Sequence, residues 1–417
     1  MQAVVVAAGQ GTRMGPLTDG LPKPLLPVGG TPIVEHVLDV AAPHVDEFVL
    51  VVGYEADQLE AHFGSNYQGT PIKYVTQDAQ LGTAHAIQQA QTHIDGPFLA
   101  LNGDVYLTPA LVDRLATATT TAIAVMPVED PRSYGVVDTD GAQVTTIVEK
   151  PSDPPTNLAN LGLYRFTPDI FEYIDRTERS ERGEYEITDS LQYAISDETP
   201  VTAVEYDGDW LDIGRPWELL DATETRLEDC ERTIHGDVEP NATIHGDVVV
   251  EEGARVRNGA YIEGPVRIQA GADVGPNAYV RGSTVIGPNA RVGNGVEVKN
   301  SILMADTAVG HLSYVGDSVL GRNVNFGAGT KVANLRHDDQ HVRVQVKGEM
   351  TDTHRRKFGV VVGHGAKTGI NTSLNAGVTL GTNARTTPGE VVTRDKHRDD
   401  TGANHEPDTP LENKPQR

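Results

Sequence analysis

Basic and glycine residues cluster directly after the first apolar run of the chain. Gly9 and Gly11 lie in AAGQGTR, Arg13 follows, and Lys23 comes ten residues after Arg13. A glycine loop after a strand can turn its backbone N–H groups towards phosphates while cations neutralise their charge. The loop is neither a dinucleotide-binding GxGxxG nor a P-loop, because Met14 stands at the third glycine position and no GK[ST] follows. These residues predict a triphosphate site of another kind.

Two aspartates are candidates for holding a metal ion near these phosphates. Asp104 follows an apolar run in the segment GDV, and Asp212 lies in DGDWLDIGRP. Nucleotidyl transfer requires positioning and charge neutralisation, so Mg²⁺ held by one or two carboxylates and by phosphate oxygens is expected. Either aspartate alone is more typical of a turn or a cap. Their assignment as metal ligands depends on the motifs that contain them.

The first half, from residue 1 to about 225, alternates short apolar runs with helical patterns. The runs at 4–8, 48–52, 72–75 and 98–101 predict strands. Thr31 and Pro32 predict the N-cap and first residue of a helix. This alternation predicts an α/β domain, Rossmann-like, with a mainly parallel sheet covered on both faces.

Beyond residue 236 the apolar period changes to six residues, which is typical of a hexapeptide-repeat β-helix. The repeated positions are Val238, Ile244, Val250, Val256, Ile262, Ile268, Val274, Val280, Ile286, Val292 and Val298, with Met304 following. The register shifts around His311 and resumes at Leu320. Segment 333–358 then breaks the repeat and predicts a projecting loop, which suggests a binding face.

The motifs of the first half resemble the signature of sugar-nucleotide pyrophosphorylases. GQGTRMGPLTDGLPKPLLP matches their GxGTRx(n)PKPLLP, and QLGTAHA, GDV, YGVV, VEKP, NLGLY, RGEYEITD and DGDWLDIGRP follow in the family's order. The resemblance implies a sugar-1-phosphate nucleotidyltransferase domain in which Arg13 and Lys23 are catalytic and Asp104 and Asp212 bind Mg²⁺. It further implies substrate contacts by Gly9, Gly11, Gln77, Gly82, Thr83, Gly135, Glu149, Lys150 and Asn160.

A long segment of the second half, GHLSYVGDSVLGRNVNFGAGTKVANLR, resembles the acetyltransferase signature of bifunctional enzymes of the GlmU type. The resemblance implies a left-handed parallel β-helix, acetyl-CoA as co-substrate, and a trimer. It implies that His311 is the general base, since a group with a pKa near the working pH can deprotonate an attacking amine. Asn334 then orients the reacting groups. The implied substrate-binding residues are Arg281, Lys299, Tyr314 and Asn325.

A basic run at 355–357 lies in the segment that interrupts the repeat. One hypothesis places this run against the phosphates of coenzyme A, and a solvated basic loop is the alternative. For His311, an ordinary corner residue of the repeat is the alternative, and the surrounding motif favours catalysis.

Composition limits the partners of the chain. The 417 residues carry a formal net charge of -25 and little lysine, which disfavours nucleic acid and anionic membranes as partners. Such acidity resembles that of proteins from halophiles, although an ordinary acidic enzyme is the alternative. The single cysteine, Cys230, excludes an intrachain disulfide and favours a reducing cytoplasm. No apolar run approaches membrane-spanning length.

These observations predict a nucleotidyltransferase domain at 1–225, a linker at 226–235, a β-helix at 236–393 and a mobile polar tail at 394–417. The favoured function is acetylation of glucosamine-1-phosphate followed by uridylyl transfer, carried out by a homotrimer or higher homo-oligomer. The alternative is a glucose-1-phosphate uridylyl- or thymidylyltransferase whose β-helix only oligomerises, and WLDIG and RGEYEITD favour it. A regulatory subunit without activity is a third class. The sequence does not decide whether the nucleotide is UTP or dTTP, nor which sugar phosphate and which epimer is the substrate.

Overall fold

The computed structural model describes residues 1–397. Most of the expected tail at 394–417 therefore lies outside the described residues. Its first residues still belong to the ordered fold, because the Asp395 carboxylate accepts a hydrogen bond from the backbone N–H of Thr379 and Lys396 bridges to Leu380.

The first half combines a ten-stranded sheet with helices on both faces. Its helices are α1 (Ile33–Ala41), α2 (Ala56–Phe63), α3 (Thr83–Gln88), α4 (Pro109–Thr117), α5 (Ile170–Arg176), α6 (Ile187–Ser196) and α7 (Glu218–Glu228). Its strands are β1 (Gln2–Val6), β2 (Pro27–Val28), β3 (Thr31–Pro32), β4 (Glu47–Val52), β5 (Asn66–Tyr67), β6 (Thr70–Thr76), β7 (Phe98–Asn102), β8 (Val105–Leu107), β9 (Thr121–Pro127), β10 (Gly135–Asp140), β11 (Gln143–Glu149), β12 (Leu158–Phe166), β13 (Val201–Glu205) and β14 (Trp210–Asp212).

The central sheet has the strand order β10-β11-β13-β9-β12-β7-β1-β4-β6-β5. The four strands predicted from the early apolar runs, β7, β1, β4 and β6, pair in parallel. Strand β12 runs antiparallel to both of its neighbours, and a tight turn at Gly141 makes β10 and β11 an antiparallel hairpin. The sheet is therefore more mixed than predicted.

Both faces of the sheet are buried because successive side chains of a strand point to opposite sides. In β1, Ala3 and Val5 face the core that includes α1, α4 and α7, whereas Val4 faces the core that includes α3, α5 and α6. The prediction of helices on both faces is confirmed.

The predicted N-cap at Thr31 is wrong. Thr31 pairs with Val28 in a two-residue ladder, and Pro32 has an extended backbone with ψ 142°. Helix α1 starts at Ile33 because this short strand pairing occupies the two preceding residues.

The second half is a stack of coils built from short parallel strands. These strands are β15 (Thr233–Ile234), β16 (Asp237–Val238), β17 (Thr243–His245), β18 (Val248–Val250), β19 (Arg255–Val256), β20 (Tyr261–Glu263), β21 (Val266–Ile268), β22 (Asp273–Val274), β23 (Tyr279–Arg281), β24 (Thr284–Ile286), β25 (Arg291–Val292), β26 (Glu297–Lys299), β27 (Ile302–Leu303), β28 (Ala308–Val309), β29 (Tyr314–Gly316), β30 (Val319–Leu320), β31 (Asn325–Phe326), β32 (Lys331–Val332), β35 (Val361–Val362), β36 (Ser373–Leu374), β37 (Thr379–Leu380) and β38 (Val391–Val392). The segment between β32 and β35 holds β33 (Arg343–Val346) and β34 (Glu349–Asp352).

The chain passes through three parallel sheets in turn, so that from β15 to β32 every third strand belongs to the same sheet. The first coils pair residues 18 apart, as in Val256 with Val274. The middle coils pair residues 17 apart, as in Val298 with Val315, and the last coils return to 18, as in Val361 with Thr379. The six-residue repeat arises because each coil places one apolar side chain per sheet in a common interior, and these side chains are buried.

The change of register occurs at the corner around Asn300, before the position near His311 that the sequence indicates. Ile286 pairs with Leu303 and not with Met304, because the corner at Asn300 has one residue fewer. Leu303 points into the coil interior, whereas Met304 packs in the core shared with the first half. The prediction that Met304 continues the ladder is therefore wrong by one residue.

The segment that interrupts the repeat is an antiparallel hairpin of β33 and β34, and we call residues 333–358 the insertion. Its Val342, Val344 and Phe358 are buried in the same core as the helices of the first half. The Phe358 ring meets that of Trp217 edge-on at a centroid distance of 6.3 Å. Part of the insertion packs on the first half instead of projecting into solvent, because it carries these apolar side chains.

Polar contacts also join the coils to the phosphate-loop region of the first half. Arg267 donates to the backbone oxygen of Gly29 at 3.0 Å, and Gln269 donates to that of Gly30 at 2.9 Å. His364 contacts the backbone oxygen of Leu17 at 2.8 Å, and burial lowers the pKa of this histidine. The two halves therefore hold each other in place near the loop that contains Arg13.

A membrane-spanning helix is absent from the part of the chain that the structure describes.

The ion pairs of Arg355 generate a test of this packing. Arg355 bonds to Asp221 and Glu224 of α7, and burial raises the pKa of Asp221 while Arg355 lowers it. Arg355→Ala leaves two partly desolvated carboxylates without a cation. Because these carboxylates are 38% and 35% exposed, we expect the free energy of unfolding to fall by about 1–3 kcal/mol, less than for fully buried pairs.

Urea unfolding in concentrated potassium chloride measures this loss, with Arg356→Ala as the matched control. Arg356 is 57% exposed and pairs with the exposed Asp339, so its removal should change stability little. Equal losses in the two variants would contradict the role of Arg355.

Candidate functional site

The two candidate metal ligands are brought together by a two-stranded ladder. Strand β14 pairs antiparallel with β8, so that Asp212 lies opposite Val105, and the backbone N–H of Ile213 donates to the backbone oxygen of Asp104 at 3.2 Å. This pairing places residues far apart in sequence side by side, just beyond the end of the central strand β7. Asp104 and Asp212 line one cavity of about 250 Å³.

The predicted catalytic cations lie around this carboxylate pair. Lys23 Nζ donates to Asp104 Oδ2 at 2.5 Å, and its side chain is only 7% exposed. Arg13 lines the same cavity. Gly11 has φ 64°, and a Cβ atom there would lie 2.7 Å from Lys23 Cβ. Only a glycine therefore lets the loop pass so close to the lysine.

The electrostatics of the pair reflect burial and mutual repulsion. Desolvation and the neighbouring Asp104 raise the pKa of Asp212, and Lys23, Arg13 and Lys150 partly offset this increase. A carboxylate pair in such surroundings favours binding of a cation, because a bound cation relieves the repulsion.

The predicted nucleobase segment is held against the RGEYEITD loop. Gly82 has φ 108°, and a Cβ atom there would lie 2.5 Å from the backbone oxygen of Tyr185. The hydroxyl oxygen of Thr83 accepts a hydrogen bond from the N–H of Ile187 at 3.1 Å. Gln77 Nε2 donates to the backbone oxygen of Gly82 at 3.2 Å. The close contact at Gly82 joins the predicted base and sugar sides of the cavity.

On the predicted sugar side, Glu149 organises the charged groups. Its carboxylate lies 3.1 Å from Lys150 Nζ and 3.2 Å from Arg182 Nη1, and it accepts a hydrogen bond from Thr188 at 3.3 Å. Asn160 donates to Tyr164 at 2.7 Å. These contacts hold the polar side chains in place on the wall of the cavity.

The cavity brings together most of the residues predicted for the first site. Those that line it are Arg13, Thr83, Asp104, Gly135, Glu149, Lys150, Asn160 and Asp212. Lys23 reaches it through Asp104, whereas Gly9, Gly11, Gln77 and Gly82 shape the loops around it without lining it.

Sequence reasoning did not single out several lining residues. Asn102 precedes the GDV segment, and Arg182 and Glu186 lie in RGEYEITD, so the motifs themselves were the available signal. Trp210 also lines the cavity, and its buried indole Nε1 has no hydrogen-bond partner within residues 1–397. No pattern in the sequence indicates which of these polar groups point inwards.

The second set of predicted residues lies on one sheet of the coils. Arg281 pairs with Lys299 in the next coil, and Lys299 pairs with Gly316 in the coil after that. Residues about one coil apart in sequence are therefore neighbours in space. Arg281 bonds to Glu297 at 2.8 Å.

Asp317, which the sequence analysis did not single out, organises this second set. Its side chain is 3% exposed and accepts hydrogen bonds from Lys299 at 3.0 Å and from Asn334 at 2.5 Å. Asn334 also donates to the Tyr314 hydroxyl at 3.1 Å. Desolvation and the charge of Asp317 raise the pKa of Tyr314. The signal that could have found Asp317 is its position directly after Gly316, which pairs with Lys299 of the preceding coil.

His311 and Asn325 lie apart from this cluster, in a cavity of about 420 Å³ that Arg257 and Arg291 also line. His311 is exposed at the corner between β28 and β29, and its imidazole makes no hydrogen bond or ion pair with residues 1–397. The structure therefore divides the second set between the Asp317 cluster and the His311 cavity.

The basic run at 355–357 is not a uniform patch for coenzyme A phosphates. Arg355 is 14% exposed and pairs with both Asp221 and Glu224, and Arg356 bonds to Asp339 at 2.5 Å. Arg356 and Lys357 line a cavity that includes Lys299. The hypothesis is wrong for Arg355, because acidic side chains of α7 already neutralise it.

Comparison with known proteins finds two families that match parts of the chain. The nucleotidyl transferase family matches residues 2–229, and the GMPPB C-terminal domain family matches residues 262–355. The chain is 40% identical over 384 residues to the bifunctional protein GlmU of Methanocaldococcus jannaschii, which is 92% of each chain.

Two further proteins extend this similarity. The bifunctional sugar-1-phosphate nucleotidylyltransferase/acetyltransferase of Sulfurisphaera tokodaii is 38% identical over 400 residues, which cover 95% of this chain and 98% of that protein. A crystal structure of UDP-glucose pyrophosphorylase complexed with UDP-glucose is 25% identical with a TM-score of 0.50, covering 54% of this chain and 98% of that one.

The family match spans more than half of the chain, and the bifunctional relatives match almost all of it. The chain therefore belongs to the nucleotidyl transferase family and is a member of its bifunctional sugar-1-phosphate nucleotidylyltransferase/acetyltransferases of the GlmU type.

Proposed function

We propose that the protein acetylates glucosamine-1-phosphate with acetyl-CoA and then transfers a uridylyl group from UTP to N-acetylglucosamine-1-phosphate, forming UDP-N-acetylglucosamine and pyrophosphate. The observation that carries this proposal is the presence of two separate polar cavities on one chain. One is built around Asp104 and Asp212, and the other contains His311.

In the uridylyl step, a phosphate oxygen of the sugar phosphate attacks the α-phosphorus of UTP in line and pyrophosphate leaves. Arg13 and Lys23 neutralise the charge that develops on the α-phosphate and on the leaving group. Lys150 holds the sugar phosphate, and Glu149 fixes the position of Lys150. The loop at Gly82 and Thr83 places the base.

The carboxylates of Asp104 and Asp212 fit a magnesium ion. Both are hard oxygen donors in one cavity, where burial and the neighbouring Asp104 raise the pKa of Asp212 and nearby cations only partly offset this increase. When bound, Mg²⁺ supplies charge neutralisation to the phosphates. Lys23 bonds to Asp104, so this lysine also keeps the carboxylate oriented towards the cavity.

In the acetyl step, the amine of glucosamine-1-phosphate attacks the thioester carbonyl of acetyl-CoA. His311 takes the proton from the nitrogen, the C–N bond forms, the C–S bond breaks, and the proton leaves with the free thiol. Arg281, Lys299 and Tyr314 hold the sugar phosphate, and Asp317 keeps Lys299 and Asn334 in position. Asn325 lines the His311 cavity and contacts the substrate there.

Several structural details belong to the same proposal. The coils wind left-handed as a β-helix, and residues 226–235 link the domains at 1–225 and 236–393. A cyclic homotrimer brings the Asp317 cluster of one subunit to the His311 cavity of another. The enzyme works in the cytoplasm of a halophile, where its acidic surface remains hydrated in concentrated salt.

The proposed function predicts a specific substrate preference. Four hexose-1-phosphates, including those of glucose and N-acetylglucosamine, are assayed against UTP and dTTP in high potassium chloride with magnesium. Pyrophosphate release should be fastest with N-acetylglucosamine-1-phosphate and UTP, and thiol release from acetyl-CoA should require glucosamine-1-phosphate. A preference for glucose-1-phosphate without any thiol release would refute the bifunctional assignment.

Variants in the same assay test the metal ligands. Asp104→Ala or Asp212→Ala should lower pyrophosphate release by several orders of magnitude, because several kcal/mol of transition-state stabilisation, about 1.4 kcal/mol per factor of ten, are lost. Thiol release should remain. Asp207→Ala, an exposed carboxylate on the preceding loop, is the control and should retain both activities.

The acetyl step depends on His311 alone among the histidines. His311→Ala should lower thiol release by roughly a hundred- to ten-thousand-fold, the range typical of general bases. Pyrophosphate release from UTP with ready-made N-acetylglucosamine-1-phosphate should stay near that of the wild type. His245→Ala, an exposed histidine on an earlier coil, should leave both reactions unchanged. An unimpaired His311→Ala protein would mean that His311 is only a corner residue.

The oligomeric state can be tested without an activity assay. Leu312, Ile370 and Val391 are 58%, 54% and 67% exposed on the coils, which supports burial of these side chains between subunits. We expect static light scattering in high salt to give the mass of three chains. A monodisperse monomer would contradict the proposal.

A further inference from the structure

Three potential metal ligands meet at the open end of the insertion hairpin, away from both candidate sites. His341 precedes β33, Asp352 ends β34, and His354 follows β34, and one ligand atom from each lies within 4.8 Å of the others. Within residues 1–397, they are the one group of three or more His, Cys, Asp or Glu side chains with this spacing. We call these three residues the hairpin cluster.

The backbone of the insertion holds the hairpin cluster together. Val342 donates a backbone hydrogen bond to Arg355 at 2.9 Å, which keeps the entering and leaving segments side by side. The rings of His341 and His354 lie with their centroids 6.0 Å apart. His341 Nδ1 lies 3.3 Å from Asp352 Oδ1. The three side chains are therefore neighbours because of strand pairing, although His341 and His354 lie on different segments.

The cluster has suitable charge and access for a cation. The backbone N–H of His354 donates to Asp352 Oδ1 at 2.7 Å, which holds the carboxylate beside the two imidazoles. An aspartate carboxylate supplies a negative charge at neutral pH. The side chains of His341 and Asp352 are 48% and 44% exposed, so an ion reaches them directly from solvent.

The ligand types indicate which class of ion fits. Two imidazoles and one carboxylate suit zinc and other first-row transition metals, whereas magnesium and calcium prefer oxygen ligands. Zinc bonds of about 2.0–2.2 Å place neighbouring ligand atoms of a tetrahedron roughly 3.3–3.5 Å apart. The 3.3 Å separation of His341 Nδ1 and Asp352 Oδ1 meets this requirement. The His354 ligand atom lies within 4.8 Å of the other two.

Space for a fourth ligand is present beside His354. This residue faces a cavity of about 760 Å³ that is also lined by Glu129, Asp130 and Arg132 of the first half. Arg132 engages the Asp130 carboxylate at 2.7 Å, whereas the Glu129 side chain makes no ion pair or hydrogen bond within the described chain. A water molecule from this cavity can therefore complete a tetrahedron.

We propose that the hairpin cluster is a binding site for a divalent transition-metal ion of the zinc class, with His341, Asp352 and His354 as its protein ligands. The bound ion cross-links the two segments at the open end of the hairpin. It does so beside Arg355, whose ion pairs with α7 join the insertion to the first half. The site is distinct from the proposed magnesium site in both ligands and position.

Calorimetric titration with Zn²⁺ tests the proposal on the full chain, stripped with a chelator and returned to excess Mg²⁺ to occupy oxygen-ligand sites. One Zn²⁺ per chain should bind at the hairpin cluster. His341→Ala and His354→Ala should each weaken binding by more than the roughly ten- to hundredfold that outer-shell changes cost. Binding should weaken as the pH falls, because histidine ligands must be neutral. Co²⁺ titration should produce visible absorption that the same variants lose.

The matched control is His337→Ala, an exposed histidine of the same insertion outside the cluster, which should bind Zn²⁺ like the wild type. Thermal unfolding separates lost binding from lost folding. Without zinc, His341→Ala and His354→Ala should melt near the wild type, and only the wild type and His337→Ala should gain stability from Zn²⁺. The proposal is overturned if no stoichiometric Zn²⁺ binds, if both cluster variants bind normally, or if His337→Ala loses binding equally.

Discussion

The short antiparallel pairing of β8 with β14 is the constraint on which the first site depends. It brings Asp104 and Asp212 into one cavity, where like charges repel and desolvation raises the pKa of Asp212. The surrounding structure compensates for this repulsion. Lys23 reaches the pair only because Gly11 adopts a left-handed conformation, and the sheet holds Asp104 at the end of a buried strand. The site must bind both polyanionic phosphates and a cation. It does so by holding carboxylates and basic side chains close together on strands and on a tight loop.

In the second half the spacing of the coils has the same role. Residues 17 or 18 apart in sequence lie on neighbouring strands of the same sheet. Arg281, Lys299 and Gly316 therefore form a column across three coils. Asp317 follows this column and is almost fully buried, because Lys299 and Asn334 satisfy its carboxylate. A buried carboxylate without such partners would be costly. The cluster is therefore a balanced unit in which removing one member leaves another uncompensated.

Much of this organisation was predictable from sequence, and the failures have physical causes. The early parallel strands and the six-residue ladder follow from burial, which depends on local apolar patterns. Thr31 was misassigned because strand pairing with Val28 overrides a favourable capping residue. Met304 was misassigned because one missing corner residue shifts every later position. Asp317 and Arg182 escaped notice because side-chain partners depend on tertiary contacts that a single sequence does not reveal.

The two halves are physically connected even though their cavities are separate. Glu224 of α7 accepts hydrogen bonds from both Arg355 and Asn300, and Asn300 also donates to Asp317 at 3.1 Å. Helix α7 begins shortly after Asp212, so one helix lies between the first site and the Asp317 cluster. Because Glu224 is shared, moving α7 would break contacts on both sides at once. The packing of the insertion against α7 therefore favours a single relative placement of the halves, and a metal ion in the hairpin cluster would strengthen that placement by restraining the segment that carries Arg355.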